Sequence, residues 1–297
     1  MTSKQSVLVT GSSSGIGRAI SETLARKGHT VFAAMRNVNG KNAAAAQELK
    51  TVAEQENIDL HVIEMDVTSD ESVAKAVETV LGITGSIDVL VNNAGVMAIG
   101  VSEAMTTTQM QQMFDVNVMG TFRVNQAVLP HMRQRGAGYL VYISSTSSLI
   151  IFPFMGMYGA TKAAVSGMAE TMHYELHSLG IDTTILQCGG YNTDLASNVQ
   201  VSGHAHIAEN YGMPGAIAQT AIGSFAANLG AASDPNELGH LIAEFMERPA
   251  GERPLHHAVG MMSEVLHGIN DVMEKTQQQV ISLMQLDVLT KRENVKM

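Results

Sequence analysis

Short apolar runs alternate with longer amphipathic stretches through the first third of the chain. The apolar runs have the length of strands, and the stretches between them repeat apolar residues at helical spacing. The alternation predicts four strands with three helices between them, at Ser6–Thr10, Arg18–Lys27, Thr30–Ala34, Lys41–Glu56, Asp59–Glu64, Ser69–Leu81 and Ile87–Val91. This order predicts an α/β fold with a Rossmann-type, doubly wound parallel sheet, whose ligand binds at the carboxyl ends of the strands.

The same alternation continues in the second half, with longer helices. It predicts strands at Gly138–Ile143, Asp182–Gln187 and Leu255–Val259, and helices at Thr106–Arg135, Met157–Ser178 and Asp234–Met246. The sheet then has about seven strands, and we expect a single domain over residues 1–297. The stretch Ser263–Leu289 repeats apolar residues at helical spacing and predicts an extended C-terminal helix.

Composition narrows the class of protein. The 297 residues carry a net charge of −10, without a block of Lys or Arg. This charge disfavours nucleic acid and anionic membranes as partners. The single cysteine, Cys188, excludes an intramolecular disulfide and fits a reducing compartment. Because we find neither a signal segment nor a run of membrane-spanning length, we expect a cytoplasmic protein.

A glycine-rich turn, Gly11–Gly17 with the sequence GSSSGIG, joins the first predicted strand to the first helix. Glycine lets the backbone approach a ligand closely, and the helix that follows directs the free N–H groups of its first turn at a phosphate. The turn therefore predicts a dinucleotide site. The alternative is an ordinary connection rich in Gly and Ser, but the flanking strand and helix favour the first interpretation.

Arg36 follows the second predicted strand, at the point where NAD-binding folds usually carry an acid for the ribose hydroxyl. A guanidinium suits a 2′-phosphate instead. The sequence therefore favours NADP(H), and NAD(H) is the less favoured cofactor. The alternative is a solvated surface arginine.

Tyr158 and Lys162 are four residues apart in a predicted helix, so their side chains lie on one face. A phenol ordinarily loses its proton near pH 10. A nearby ammonium favours the phenolate, so we expect Lys162 to lower the pKa of Tyr158 toward neutrality, where it exchanges protons with a substrate.

From near its N-terminus to about Leu195, the chain resembles the shorter-chain branch of the short-chain dehydrogenase/reductase (SDR) family. The resemblance is carried by TGSSSGIG at Thr10–Gly17, DVT at Asp66–Thr68, NNAG at Asn92–Gly95, the asparagine of DVNV at Asn117, ISS at Ile143–Ser145 and YGATK at Tyr158–Lys162. Ser145 precedes Tyr158 by thirteen positions, as in that family.

The resemblance implies a catalytic set of Asn117, Ser145, Tyr158 and Lys162. Tyr158 would exchange a proton with the carbonyl or alcohol oxygen, and Ser145 would hold and polarise that oxygen. Lys162 would lower the pKa of Tyr158 and hold the nicotinamide ribose. Asn117 would support a water that links Lys162 to solvent.

The resemblance also implies a cofactor site, in which Asp66 and Val67 frame the adenine and Thr193 binds the nicotinamide carboxamide. The expected cofactor-binding residues are Gly11, Ser13, Ser14, Gly15, Ile16, Gly17, Arg36, Asn37, Asp66, Val67, Asn93, Ala94, Gly95, Tyr158, Lys162, Gly189 and Thr193. The chain departs from the family at Cys188, where the family usually has proline. We expect a slightly altered loop there and intact hydride chemistry.

Two segments are candidates for contact with substrate. By resemblance, residues 194–233 form a lid, and its Ala, Ile, Val and Met content favours an apolar substrate. The run Leu149–Met157 is either a wall of the substrate pocket or packing in the core or at a subunit interface. The paired histidines at positions 204 and 206 and at 256 and 257 lack a nearby acid or cysteine at ligand spacing, so no metal site is predicted.

These features predict an NADP(H)-dependent oxidoreductase that interconverts a ketone or aldehyde and an alcohol on a small-to-medium apolar substrate. One alternative is a 3-oxoacyl thioester reductase, against which the net charge of −10 argues because an acidic carrier protein needs a basic docking patch. Another is an idle NADP(H)-binding regulator, which has no need of the proton-transfer groups. Family members often assemble through the two long helices, so we expect a homotetramer or a dimer.

Overall fold

The computed structural model describes residues 3–193, 199–228 and 233–292, with side chains omitted for 222–228. Its first half alternates strands and helices in the predicted order. The elements are β1 (Ser6–Thr10), α1 (Gly15–Arg26), β2 (Thr30–Met35), α2 (Ala43–Glu56), β3 (Leu60–Glu64), α3 (Asp70–Thr84) and β4 (Val89–Asn92).

The second half contains the longer helices and a small additional sheet. Its strands and helices are β5 (Ala98–Ile99), α4 (Thr107–Phe114), α5 (Gly120–Arg135), β6 (Gly138–Ile143), α6 (Gly156–His177), β7 (Ile181–Cys188), β8 (Gln200–Val201), α7 (Ala205–Asn210), α8 (Met213–Asn228), α9 (Asn236–Glu247), β9 (His256–Val259) and α10 (His267–Leu283). Short 3₁₀ turns lie at Ser102–Ala104, Thr146–Ser148, Ser263–Leu266 and Asp287–Thr290.

Seven strands form one parallel sheet in the order β3-β2-β1-β4-β6-β7-β9, which confirms the predicted doubly wound fold. All five residues of β1 and all eight of β7 are buried, because helices cover both faces of a parallel sheet. One core lies between the sheet and helices α1 and α9, and the other between the sheet and helices α3, α5 and α6. The chain order reverses between β1 and β4, so the ligand crevice is expected at their carboxyl ends.

The helix predicted at Thr106–Arg135 is interrupted by a π-helical turn, Asp115–Met119. Within this turn Asn117 is buried, and its side-chain amide accepts a hydrogen bond from the N–H of Val96 and donates one to the Val96 carbonyl oxygen. The extra residue in a π turn changes where the helix directs its side chains. It therefore brings Asn117 to the loop that follows β4.

The predicted C-terminal helix is shorter than expected. Helix α10 ends at Leu283, and Gln285 follows with a φ of +59°. Its start is attached to β7, where the side-chain amides of Gln187 and Asn270 exchange hydrogen bonds of 3.1 and 2.6 Å. Beyond its end, Arg292 pairs with the buried carboxylate of Asp182 on the same strand. The C-terminal segment is thus attached to β7 near both ends, whereas most of α10 is exposed, including Val272 and Leu283.

None of the helices within the described residues combines the length and the apolar character that crossing a bilayer requires.

Candidate active site at the carboxyl ends of the strands

Three glycines in the turn between β1 and α1 stand where a larger residue would be strained or would clash. Gly11 and Gly15 have φ values of +70° and +55°. A Cβ on Gly17 would lie 2.4 Å from the carbonyl oxygen of Gly11 and 2.3 Å from Nδ2 of Asn93. Ser14 is the N-cap of α1 in an extended conformation, and its side chain makes no capping hydrogen bond. The first-turn N–H groups therefore remain suited to bind an anion.

The NNAG segment after β4 braces this turn. Asn93 donates from Nδ2 to the carbonyl oxygens of Thr10 (2.8 Å) and Gly11 (3.0 Å). The hydroxyl of Thr10 accepts hydrogen bonds from the backbone N–H groups of Asn93 and Ala94, both at 3.0 Å. The amide donors of Asn93 are therefore spent on the turn, so its side chain shapes the predicted cofactor site from behind.

The loops after β2 and β3 meet beside Arg36. Arg36 and Asn37 are exposed, and the backbone N–H groups of Asn37 and Val38 donate to the carboxylate of Glu64 at 2.7 and 2.8 Å. The pKa of Asp66 is lowered, because hydrogen bonds from Thr68 and the charge of Arg36 outweigh the effect of burial. Arg36 thus lies in solvent at the edge of the crevice, close enough to Asp66 to influence its charge.

Arg123 connects this end of the crevice to the π turn, a link that the sequence analysis missed. Its guanidinium donates to the carbonyl oxygen of Val67 at 3.2 Å and pairs with Asp70 at 2.9 Å and Asp115 at 2.8 Å. Gly120 also packs closely against Val67, since a Cβ at position 120 would be 2.7 Å from the Val67 side chain. No short motif marks these positions, so only the folded arrangement shows the link.

Ser145 and Tyr158 come together at the end of β6. The Oγ of Ser145 accepts a hydrogen bond from the N–H of Ser147 at 3.1 Å, and the Ser145 side chain lies near Tyr158, in the first turn of α6. Burial raises the pKa of Tyr158 above its ordinary value, and the nearby Ser145 hydroxyl offsets only part of this rise. Tyr158 therefore keeps its proton at neutral pH.

Lys162 lies one turn further along α6 and is buried. Its Nζ donates to the carbonyl oxygen of Ile143 at 2.7 Å and lies 5.8 Å from the centre of the Tyr158 ring. Burial lowers the pKa of Lys162 to about 8. In this arrangement the ammonium of Lys162 points at a carbonyl and burial dominates the pKa of Tyr158, so the expected lowering of that pKa by Lys162 stays a prediction.

The side chain of Asn117 is fully engaged within the protein. Its Nδ2 donates to the carbonyl oxygen of Val96 and to the hydroxyl of Thr161, both at 2.9 Å, and its Oδ1 accepts from the N–H of Val96 at 2.8 Å. Thr161 in turn donates to the carbonyl oxygen of Tyr158 at 2.8 Å. The observed contacts of Asn117 therefore fix the turn of α6 that carries Tyr158, and its expected role in holding a water stays a prediction.

The segment after β7 reaches back to the glycine-rich turn. Gly189 donates from its N–H to the carbonyl oxygen of Val259 at 2.8 Å. The side chain of Thr193 lies against Gly15, where an added Cβ would be 3.3 Å from the Cβ of Thr193. Cys188 ends β7 as a buried thiol whose pKa burial raises to about 12, so it is unsuited to act as a nucleophile.

The histidines do not assemble a metal centre in the part of the chain that the structure describes. No group of three or more His, Cys, Asp or Glu side chains with the geometry of a metal site occurs there. His256 instead contacts Glu170, with 3.0 Å between Nε2 and Oε1, and His204 and His206 contact each other edge to face.

The structure thus brings four of the expected elements to one crevice: the glycine-rich turn, the NNAG segment, the Ser145–Tyr158–Lys162 set and Thr193. Positions 194–198 and 229–232 of the predicted lid lie outside the described residues. The described part of the lid packs through Ala208, Ala218 and Ile207 against Val101 and Ala104.

The sequence profile of the short chain dehydrogenase family matches residues 5–202. This is more than half of the 297 residues, and the chain belongs to that family. Its fold and the order of its motifs agree with this membership. The chain is an SDR oxidoreductase by family.

Curated relatives match the same part of the chain. It is 33% identical over 199 residues to the 3-ketodihydrosphingosine reductase of Bacteroides thetaiotaomicron, covering 67% of this chain and 68% of that protein. It is 37% identical over 194 residues to retinol dehydrogenase 8 of Bos taurus, covering 64% of this chain and 60% of that protein. The match thus spans less than two thirds of the bovine protein.

Solved structures extend the likeness to most of the chain. A short-chain dehydrogenase from Streptomyces avermitilis superposes with a TM-score of 0.76 at 28% identity, covering 95% of this chain and 98% of that one. A gluconate 5-dehydrogenase from Burkholderia cenocepacia, in complex with NADP and tartrate, gives a TM-score of 0.60 at 30% identity, covering 66% of this chain and 74% of that one.

Proposed function

We propose that this protein is an NADP(H)-dependent oxidoreductase that interconverts a carbonyl compound and an alcohol. The observation that carries the proposal is the placement of Tyr158 and Lys162 on one face of α6 beside Ser145, with Nζ of Lys162 5.8 Å from the centre of the Tyr158 ring, at the same end of the sheet as the tightly packed glycine-rich turn. A protein that only binds nucleotides has no need of these proton-transfer groups.

The residues of the crevice fit a nicotinamide dinucleotide, which supplies the hydride when bound. Gly11, Gly15 and Gly17 let the turn pack closely against the neighbouring segments, and the N-terminus of α1 offers N–H donors for the phosphates. Thr193 lies against Gly15, and by the family resemblance it would bind the nicotinamide carboxamide.

The protein's own groups manage the proton. Ser145 holds the substrate oxygen, and Tyr158 gives up its proton to that oxygen during reduction. Because burial keeps the pKa of Tyr158 above its ordinary value, the phenol is protonated at neutral pH. This state supplies the proton that reduction of a ketone or aldehyde requires.

Arg36 supports the choice of NADP(H). It is exposed at the end of β2, where its guanidinium can approach a 2′-phosphate. Its positive charge helps to lower the pKa of Asp66. The related gluconate 5-dehydrogenase was solved with NADP. Replacing Arg36 with Asp removes the positive charge and adds a repelling one. The ratio of kcat/KM for NADPH to that for NADH should then fall at least about 100-fold, and an unchanged ratio would mean that the phosphate is recognised elsewhere.

The substrate is an apolar molecule of small to medium size. Phe154 and Ile207 border an apolar cluster between the loop that joins β6 to α6 and the described part of the lid. The relatives named for ketodihydrosphingosine and retinol act on apolar compounds by those names. The proposal extends to a single domain over 1–297, a cytoplasmic location and a homodimer or homotetramer.

The test is oxidation of NADPH and of NADH by the purified protein with a panel of long-chain, cyclic and aryl ketones, aldehydes and 3-oxoacyl esters. Turnover of apolar ketones with NADPH supports the proposal, and a preference for 3-oxoacyl thioesters moves it to that alternative. Tight NADPH binding without turnover of any substrate would favour the idle regulator.

A further inference from the structure

A segment that follows β7 in the chain is attached to the loop after the NNAG motif. We call residues 199–211 the lid root. Strand β8 within it pairs in parallel with β5, with Ala98 opposite Gln200 and Ile99 opposite Val201. Gln200 also donates from its N–H to the carbonyl oxygen of Met97 at 2.9 Å. A two-residue strand pair is weak on its own, so the lid root requires further support.

Gln109 supplies that support through its side-chain amide. Its Oε1 accepts hydrogen bonds from the N–H groups of Thr106 and Gly203, both at 3.0 Å, and its Nε2 donates to the carbonyl oxygen of Val201 at 2.9 Å. The contact with Thr106 completes a capping box, because the Thr106 hydroxyl accepts from the N–H of Gln109. One side chain thus caps helix α4 and fastens both ends of a turn in the lid root.

The lid root lies beside the loop that joins β6 to α6 and leads to Tyr158. Gly100, next to β5, donates from its N–H to the carbonyl oxygen of Phe154, which precedes Tyr158 by four positions. The side chains of Phe154 and Ile207 pack against one cluster formed by Val101, Ala104, Ala208 and Ala218. A displacement of the lid root would therefore move the surface that faces the substrate near Tyr158.

We propose that Gln109 is a positioning residue that holds the lid root as a fixed wall of the substrate site, and so sets the apparent affinity for the carbonyl substrate without touching it. The inference rests on the proposed function, because it assigns that wall to the carbonyl substrate. The donor on Nε2 is the decisive group. It is the only part of the amide that faces Val201, whereas Oε1 serves the cap and Gly203.

Gln109→Glu tests that group with almost no change of shape. The carboxylate still accepts from Thr106 and Gly203, but it places an oxygen opposite the carbonyl oxygen of Val201. Gln112→Glu is the matched control, since Gln112 lies exposed on the same helix. Gln109→Met removes all three side-chain hydrogen bonds, so it loses the cap contact together with both contacts to the lid root and provides a second variant.

Hydrogen exchange of the lid root and steady-state kinetics are measured for all variants. In Gln109→Glu, exchange of residues 199–204 should accelerate about tenfold, and KM for the carbonyl substrate should rise at least about fivefold, with KM for NADPH unchanged. Gln109→Met should show the same two effects, and Gln112→Glu should show neither.

Unchanged exchange in both Gln109 variants would overturn the positioning role. Faster exchange with an unchanged carbonyl KM would overturn the assignment of this wall to the substrate site. The exchange measurement needs no turnover. Failure of the proposed function is therefore recognised separately, as an inactive wild-type protein whose lid root still responds to Gln109→Glu.

Discussion

Lys162 is expected to destabilise the protein that it serves. Its ammonium is buried, and burial lowers its pKa from 10.5 to about 8. At about 1.4 kcal/mol per pH unit, this difference corresponds to a cost of about 3 kcal/mol for keeping Lys162 charged in the folded protein at pH 7. The hydrogen bond from Nζ to the Ile143 carbonyl oxygen remains in both charge states and is lost only when the amine is removed.

Lys162→Met removes the buried charge and keeps a side chain of similar length. Loss of the bond to Ile143 costs about 1–2 kcal/mol, so the variant should be more stable than the wild type by about 1–2 kcal/mol at pH 7 while losing its activity. Urea unfolding without added nucleotide, at one fixed protein concentration, measures the difference. Lys50→Met, an exposed position on α2, is the control and should change little.

The dependence on pH gives the sharper readout. Between pH 8 and 10.5 the unfolded chain binds more protons at Lys162 than the folded one, so wild-type stability gains from this group as pH rises. The advantage of Lys162→Met should therefore shrink by about 2.5 kcal/mol from pH 7 to pH 10. A variant that is less stable than the wild type at pH 7, with a difference independent of pH, would refute the reasoning.

Two further substitutions test the cofactor crevice. Gly17→Ala forces a Cβ to within 2.4 Å of the Gly11 carbonyl oxygen, so NADPH affinity measured by calorimetry should fall at least about tenfold, whereas Gly82→Ala, with open space around it, should leave it unchanged. Arg123→Met frees the Val67 carbonyl and the π turn, so KM for NADPH should rise about fivefold and kcat should fall, while the exposed Arg133→Met should match the wild type. Normal NADPH affinity in Gly17→Ala, or normal kinetics in Arg123→Met, would contradict these assignments.

The sheet was predictable because each strand is a short apolar run set between helices with clear periodicity. Gly138–Ile143 matches its predicted bounds, and the helix predicted from Ser69 has that residue as its N-cap, whose hydroxyl accepts a hydrogen bond from the N–H of Ser72 at 3.2 Å. The site motifs were predictable for a different reason, since tight glycine packing and proton transfer restrict the residue types that serve.

What the sequence could not show depends on contacts between distant segments. The sequence of Asp115–Met119 predicts an ordinary helix. The π turn found there accompanies the hydrogen bond between Asn117 and Val96, which are 21 residues apart. The pKa of Tyr158 depends on burial, which a helical spacing does not reveal. The capping box at Thr106 and Gln109 was readable from their spacing, but its second contact with Gly203 was not.

The most direct test of the central claim is Tyr158→Phe, which removes one hydroxyl from the site. NADPH affinity by calorimetry and turnover of the best ketone are measured on the same preparation. The account predicts NADPH affinity within about twofold of the wild type and turnover reduced at least about 1000-fold, since the proton donor is gone and the ring remains. Turnover near the wild-type level with intact NADPH binding would show that another group supplies the proton.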